Sequence, residues 1–538
     1  MDTDVLIVGA GPTGLALAVD LARRGIRALV VERAEGLFPG SRGKGLQPRT
    51  LEVLEDLGLH RAILAAGGPY PVGMIWKDGV RQGEHRMFDE TEPSEGAPYH
   101  QPWMVPQWRT QELLHARLTE LGGTVAFGRE LVGITQDGAD GDATAGTGDA
   151  AGAATAAGTG DAAGAGTAAG VTAVFASGET VRARYAVAAD GGRSTVRRTL
   201  GIGMTGETVD PNPILVADVR ITGLDRDHWH VFPPAGGEGF LAICPLAGTD
   251  RFQVTAQFLN AAEGVGATAP DISLDGIRKA VAARSHLAPD AVTEVHWASD
   301  FRPRAAMADR FRDGRILLAG DAAHVHSPAG GQGLNTGVQD AYNLGWKLAA
   351  VLAGHAPASL LDSYEEERMP VAADILGLST AVHRGEIRRG EATQQLGLGY
   401  RDASLSVETR TGLPEDALRA GDRAPDGIRA GVRLFDAFQG PHWTLLTVGS
   451  AESDPAAGTT ARGEGGLPSV RTVRIPSYGA YGDGVFLIRP DGHIGWAGDT
   501  ADGAARYAAR FGLGIGNGNG NGNGSGIGIG IGDTAPLA

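Results

Sequence analysis

Cysteine is almost absent: Cys244 is the single one in 538 residues. A lone thiol excludes a disulfide framework, a Cys-based metal site and any Cys-x-x-Cys redox couple. It points to a reducing compartment, and the cytoplasm is the expected location. Long apolar runs are missing too. Nothing approaches the roughly 20 residues of a membrane-spanning helix, and the N-terminal apolar run is one strand long and breaks at Gly9. Without a basic segment before it, that run does not read as a signal peptide. Positive charge is in deficit: 47 Lys and Arg face 63 Asp and Glu, a formal net charge of -16. That balance argues against nucleic acid or an anionic membrane as partner, while leaving room for a local basic pocket. With 42% hydrophobic residues, the chain has material for two or three domains with their own cores.

What is present is concentrated in glycine-bearing stretches. From Gly314 the chain reads as a buried strand (Ile316–Ala319), an acid (Asp321), a Pro–Gly loop and a helix from about Thr336. Asn335 or Thr336 is the expected cap, and Asp340 lies in the first turns, where the helix dipole favours an anion. Leu344, Leu348 and Leu352 form an apolar stripe, and Gly354 is the expected stop. Gly330, Gly331 and Gly333 allow backbone N–H groups to converge on a ligand, and Pro328 stiffens the loop. Such a loop suits something planar and partly anionic. Near the N-terminus, a strand (Asp4–Val8), Gly9, Gly11, Thr13 and Gly14, a helix to about Arg24, a stop at Gly25 and a second strand (Ala28–Val31) follow in order. Glu32 closes that strand, with Arg33 beside it. This is the dinucleotide fingerprint in its strand–turn–helix–strand context, with an acid suited to ribose hydroxyls.

Between these stretches lies Asp190-Gly-Gly-Arg-Ser-Thr-Val-Arg197. Arg42 with Gln47-Pro-Arg-Thr-Leu-Glu52, Gly320-Asp321 and Tyr364-Glu-Glu-Glu-Arg-Met-Pro370 complete an ordered set. Together they resemble the FAD-dependent aromatic hydroxylases, single-component flavoprotein monooxygenases typified by p-hydroxybenzoate hydroxylase and phenol hydroxylase. The nearest likeness is to bacterial members acting on polyketides, phenols or antibiotics. It covers roughly residues 3–375 and, more loosely, the chain to about 512. The resemblance implies FAD contacts from Gly9, Gly11, Thr13, Gly14, Glu32, Arg33, Arg42, Gln107, Asp190, Pro328, Gly331, Gly333, Leu334 and Asn335, with Asp321 on the ribityl chain. It implies NADPH or NADH as reductant. With one dinucleotide fingerprint present, that cofactor is expected to bind transiently at the surface. The implied reaction is hydroxylation of a phenolic or polycyclic, polyketide-type aromatic by dioxygen through a flavin C4a-hydroperoxide. Baeyer–Villiger insertion, epoxidation and a flavin-binding scaffold without turnover remain alternatives. A halogenase is disfavoured, because no Gly-Trp-x-Trp-x-Ile-Pro stretch occurs. No catalytic acid or base is assigned. His230, Arg304 and Tyr99 are candidates for orienting or deprotonating a phenol. No metal is expected, and the chain is read as a monomer or homodimer.

The implied fold class is α/β. A Rossmann-like FAD-binding domain (1–70, 100–200, 300–395) interleaves with a mixed β-sheet substrate domain (71–99, 205–299). A thioredoxin-like domain lacking Cys-x-x-Cys follows (398–512). Residues 139–170, almost wholly Ala, Gly, Thr and Asp, read as a disordered insertion in a hairpin, and 513–538 as a disordered Gly-rich tail. The alternation in 214–258 predicts a sheet with one covered face. His228 and His230 share a strand face, as do Asp321, His324 and His326 a short segment, but without a further ligand these read as structural, not as a metal site.

Overall fold

The computed structural model describes residues 1–89, 91–137, 169–259, 269–449, 460–461 and 470–513. Its frame is a parallel sheet built from the apolar runs. Strand Thr3–Val8 pairs in parallel with Ala28–Val31 on one side and Thr180–Ala188 on the other, and the last pairs in parallel with Ile316–Leu318. Val5, Leu6, Ile7 and Ile316, Leu317, Leu318 are wholly buried, as strands covered on both faces must be. Helices Pro12–Arg23 and Gly333–Leu352 pack together over this sheet. Register decides what meets. Val8 lies opposite Ala188, and Ala188 opposite Leu318. Gly9, Asp190 and Gly320 therefore emerge together at the carboxyl edge, the usual ligand crevice of an open parallel sheet.

The long helix begins at Gly333, three residues before the expected start. The turn Pro328–Gly330 and Gly331, at φ +65°, feed the chain directly into it. Neither Asn335 nor Thr336 caps it, because both already lie inside the first turn. Gly354, at φ +76°, ends it as expected.

The second sheet has seven strands, in the order Val292–Phe301, Ile214–Ile221, Phe252–Gln257, Leu241–Pro245, His228–Phe232, Val72–Lys77, Val80–His85. All neighbours are antiparallel except His228–Phe232 with Val72–Lys77. The single covered face expected here is corrected for its second strand. Ile214–Ile221 is buried throughout except at Arg220. Helix Leu274–Arg284 covers one face with Ile277, Ala280 and Val281. The loop before Gln47 covers the other: a methyl group at Gly40 would overlap the Trp297 ring, and Gln253 donates from Nε2 to Ser41 O.

The C-terminal part forms a six-stranded sheet in the order Val407–Glu408, Ile494–Gly498, Gly484–Ile488, Trp443–Val448, Val470–Ile475, Thr460–Ala461. It docks against the far half of helix Gly333–Leu352. Trp346 meets Trp443 edge-on at 5.4 Å and donates to Asp491 (2.9 Å). Beside it, Glu367 accepts from Lys347 (2.7 Å) and Arg489 (2.6 Å) with all three side chains buried. Strands Leu131–Gln136 and Val171–Phe175 form the expected hairpin. The expected insertion and tail lie outside the described residues, apart from their edges. No described helix is long and apolar enough to cross a membrane.

Candidate active site

The N-terminal turn separates glycines that packing demands from one that faces open space. Gly9 takes φ +108°, and a methyl group there would stand 2.4 Å from the Ala189 carbonyl oxygen. At Gly14 it would stand 2.1 Å from the Gly9 carbonyl oxygen. At Gly11 it would meet nothing within 4 Å, so that side of the turn, at the N-terminus of helix Pro12–Arg23, is open. Glu32 accepts from the N–H groups of Ala10 and Ala34 (3.0 Å each), which leaves lone pairs for a further donor. Arg33 beside it is exposed, and no contact joins it to this turn. Thr13 is the hinge of the arrangement. Methyl groups at Gly320 and Gly337 would lie 2.5 and 2.4 Å from its hydroxyl, so three segments close on one side chain.

Asp321 follows at the strand end. Its side chain is exposed, yet protein surrounds it closely enough for burial to push its carboxyl up, against the pull of His324 and Arg42. Exposure together with desolvation describes a residue lining a recess. A methyl group at Gly333 would lie 3.8 Å from Asp321 Oδ1, and one at Gly43 3.5 Å from Leu334. The first bond of the helix closes from Thr336 N–H to Gln332 O (2.9 Å), so the N–H groups of Gly333, Leu334 and Asn335 lack intrahelical acceptors. Pro328 is exposed at the start of this loop. The Asn335 side chain is a clamp across the site: it accepts from Gln47 N–H (2.8 Å) and donates to Gly45 O (3.0 Å) and Gly331 O (2.7 Å). Gln107 accepts from Gly43 N–H (3.1 Å). Arg42 projects into solvent over Phe38.

An open glycine face at a helix N-terminus, an acid in a recess and unsatisfied helix N–H groups run through one line of contacts. They fit a dinucleotide with a polyhydroxyl linker, as FAD is. Several expected residues have other duties. Asp190 supports the start of helix Thr195–Thr199, accepting from Thr195 (2.7 Å) and Val196 (3.2 Å), while its second oxygen is buried without a partner and burial raises its carboxyl. Arg197 donates to Ala322 O (2.9 Å) and Gly192 O (3.0 Å), stapling two loops. Asp340, expected as a dipole partner, is buried. Burial alone would raise it, but His324 (2.6 Å) and Arg368 (2.7 Å) hold its carboxyl down at about 2.

Two of the three candidates for handling a phenol are engaged elsewhere, and the third is exposed. His230 has both ring nitrogens engaged, by Trp76 Nε1 (3.1 Å) and Asp225 O (3.0 Å). Tyr99 donates to Glu55 (2.9 Å), which also pairs with Arg433. Arg304 is exposed on a three-stranded sheet. The structure instead brings Tyr70, Phe88 and Trp229 together beside Lys44. Tyr70 stacks on Trp229 at 6.0 Å and meets Phe88 edge-on at 4.8 Å, while the Lys44 ammonium lies 4.5 Å from the Trp229 centroid. Sequence reasoning missed this group because its members come from four separate segments. The signal available was Lys44 itself, a cation set between two glycines.

A family model described as FAD binding domain matches residues 2–379, and one described as aromatic-ring hydroxylase, C-terminal, matches 418–513. A flavin-dependent monooxygenase of Mycobacteroides abscessus is 43% identical over 520 residues, covering 94% of this chain and 99% of that protein. The solved anhydrotetracycline hydroxylase from Streptomyces rimosus is 31% identical at a TM-score of 0.70, covering 95% and 100%. A ternary complex of aklavinone-11 hydroxylase with FAD and aklavinone is 27% identical at 0.73, covering 95% and 98%.

Proposed function

This chain belongs to the FAD-binding aromatic-ring hydroxylase family and is an FAD-dependent aromatic monooxygenase; on that premise we propose that it hydroxylates a phenolic or polycyclic aromatic metabolite of polyketide type, with NADPH or NADH as reductant. The observation that carries this reading is the line of close approaches from Glu32 through Thr13 and Asp321 to Leu334, which leads through Gly43 to the rings grouped beside Lys44.

The residues divide the binding work. The turn Gly9, Gly11, Thr13, Gly14 and its helix N-terminus would hold the pyrophosphate, and Glu32 with Arg33 the adenosine end. Asp321 would hold the ribityl hydroxyls. Gly331, Gly333, Leu334 and Asn335 would present N–H groups to the flavin oxygens, with Pro328, Gln107 and Arg42 bordering the ring and Asp190 nearby. When bound and reduced, FAD supplies activation of dioxygen, so that one oxygen atom goes to an aromatic carbon and the other leaves as water. The chain's own part is to fix the aromatic carbon in place, keep water out and set the local charge. Helix N–H groups at Gly333–Asn335 would favour negative charge on a ring system held against them.

The same reading takes residues 1–70, 100–200 and 300–395 as the FAD domain and 71–99 with 205–299 as the substrate domain. The C-terminal part, 398–512, is a thioredoxin-like unit with a structural role, since it contains no cysteine for disulfide chemistry. The test is turnover of polycyclic phenols with NADPH under isotopically labelled dioxygen. Label in a hydroxylated product is expected. Reductant consumed across the whole panel with only hydrogen peroxide formed contradicts the hydroxylase reading, and a ring-opened lactone redirects it to Baeyer–Villiger chemistry.

A further inference from the structure

We propose that Lys44 is the substrate-orienting cation of this enzyme: its ammonium, set between the flavin-side loop and the substrate sheet, pairs with an ionised phenolic or enolic oxygen of the aromatic substrate. The inference rests on the FAD reading above and adds to it a preference for the charge state of the substrate.

The backbone around Lys44 is pinned to the cofactor cradle on both sides. Gln107 N–H donates to Gly43 O and Val105 N–H to Lys44 O (3.0 Å each), and Asn335 Nδ2 donates to Gly45 O (3.0 Å). The side chain leaves this fixed point and crosses to the sheet, where Nζ donates to Gln253 Oε1 and lies over Trp229. Both partners are neutral. Among the described residues, no carboxylate forms an ion pair with Lys44 within 4.0 Å.

Among the described residues, no ionisable group facing it pairs with it at ion-pair distance. Burial pushes the Cys244 thiol up to about 11 and raises Tyr70 as well, so both are uncharged at neutral pH. Arg389, from the segment after helix Asp362–Arg384, carries the same sign as Lys44. Asp218 is the one acid acting on it, and it remains outside ion-pair distance with both oxygens lacking a hydrogen-bond partner. A desolvated ammonium with neutral partners is costly until an anion joins it.

The surroundings specify that anion. Tyr70, Phe88 and Trp229 offer ring faces and edges, which suit a planar aromatic and not a free phosphate or carboxylate. An anionic oxygen on such a ring meets the ammonium while the ring meets the aromatic wall. The hydroxyl proton passes to solvent as the anion binds. The negative oxygen then enriches the ortho and para ring carbons in electrons, so the contact that orients the ring also prepares it for an electrophilic oxygen.

The test uses the FAD-loaded full-length protein and two probes. One is 2-hydroxy-1,4-naphthoquinone, ionised at neutral pH, and the other its methyl ether, which cannot ionise. Calorimetric titration of the parent is expected to show at least a tenfold preference for the ionised probe. K44M is expected to lose about 10- to 100-fold in affinity for that probe, the range of a charge-assisted hydrogen bond, with the ether unchanged within twofold. K44R is expected to restore most of the loss. Equal binding of the two probes by the parent overturns the proposal without any variant. A K44M effect that is the same for both probes, or absent, also overturns it. A parent protein that takes up no FAD overturns the functional reading itself, and the FAD absorbance recorded before titration tells the two failures apart.

Discussion

Asp218 lies at 0% exposure on strand Ile214–Ile221 of the seven-stranded sheet, and neither carboxylate oxygen has a hydrogen-bond partner. Burial pushes its carboxyl up to about 6, and Ser41, Lys44 and Arg251 pull the other way without cancelling the shift. A carboxyl raised on folding favours the native state while it is protonated. That contribution is complete below its unfolded value and is lost as pH rises through about 6. D218N keeps the shape and removes the charge. It is expected to be more stable than the parent by about 2–3 kcal/mol near pH 8, shrinking towards zero near pH 4. Urea melts across this range check it, and a difference constant with pH contradicts it. The glycines of the first turn make a paired prediction. G14A drives a methyl group into the Gly9 carbonyl and is expected to lower the melting temperature of the apoprotein. G11A meets no protein atom and has extended backbone angles open to alanine, so apoprotein stability should hold within about 1 kcal/mol. FAD affinity should nonetheless fall at least tenfold in G11A. Melting of the apoprotein and FAD titration of both variants separate packing from binding, and unchanged FAD affinity in G11A places the cofactor elsewhere.

The element that joins the two functions is helix Gly333–Leu352. Its first turn faces the cradle, and in its far half Trp346 donates to Asp491 of the C-terminal part while Asn343 and Lys347 donate to Glu367 on helix Asp362–Arg384, which pairs with Arg489. Burial alone would raise Glu367, but Arg489 and Lys347 hold its carboxyl down at about 2. Removing one charge from a buried set strands the others, at a cost of about 3–5 kcal/mol. E367Q is therefore expected to lower the unfolding free energy by that amount. FAD affinity should change less than threefold, because Lys347 lies some four helical turns, about 21 Å, from Gly333. Denaturant melts and FAD titration of E367Q check both halves, and equal loss in the two contradicts the separation. At this scale much was legible in the sequence. The fingerprint strand, turn and helix needed only local patterning, and Ser194 caps its helix as its type suggests. Asn335 was legible as a polar residue at a helix start but not as a clamp, because its partners Gln47 and Gly45 lie nearly 300 residues away. Strand Ile214–Ile221 read as half-covered because alternation reports one strand at a time, and its second cover comes from the loop around Gly40 and Ser41.

Across the whole molecule, parallel register is what turns distant motifs into one site. Val8, Ala188 and Leu318 stand side by side, and their loops share the same edge. The family resemblance carried this in advance, since spacing in the chain says nothing of adjacency in space. The group of side chains around Lys44 was not legible. It draws on Tyr70, Phe88, Trp229 and Gln253 from separate segments, and no local pattern marks them as neighbours. The frame also predicts what is dispensable. Gln136 pairs with Val171, and Asp137 N–H donates to Gly170 O (2.9 Å), so the hairpin ends are adjacent. Replacing residues 138–169 with a two-residue turn is expected to leave FAD affinity unchanged and the melting temperature within a few degrees. Weakened FAD binding in that variant contradicts the independence of the cradle from this segment.

The most direct test of the central claim is the visible spectrum of the purified protein, recorded before and after NADPH is added in air. A yellow protein with bound FAD absorbance is predicted. The absorbance should fall slowly with NADPH alone and faster when a polycyclic phenol is present. A colourless protein that cannot be reconstituted with FAD contradicts the assignment of the cradle from Gly9 to Asn335, and with it the hydroxylase function.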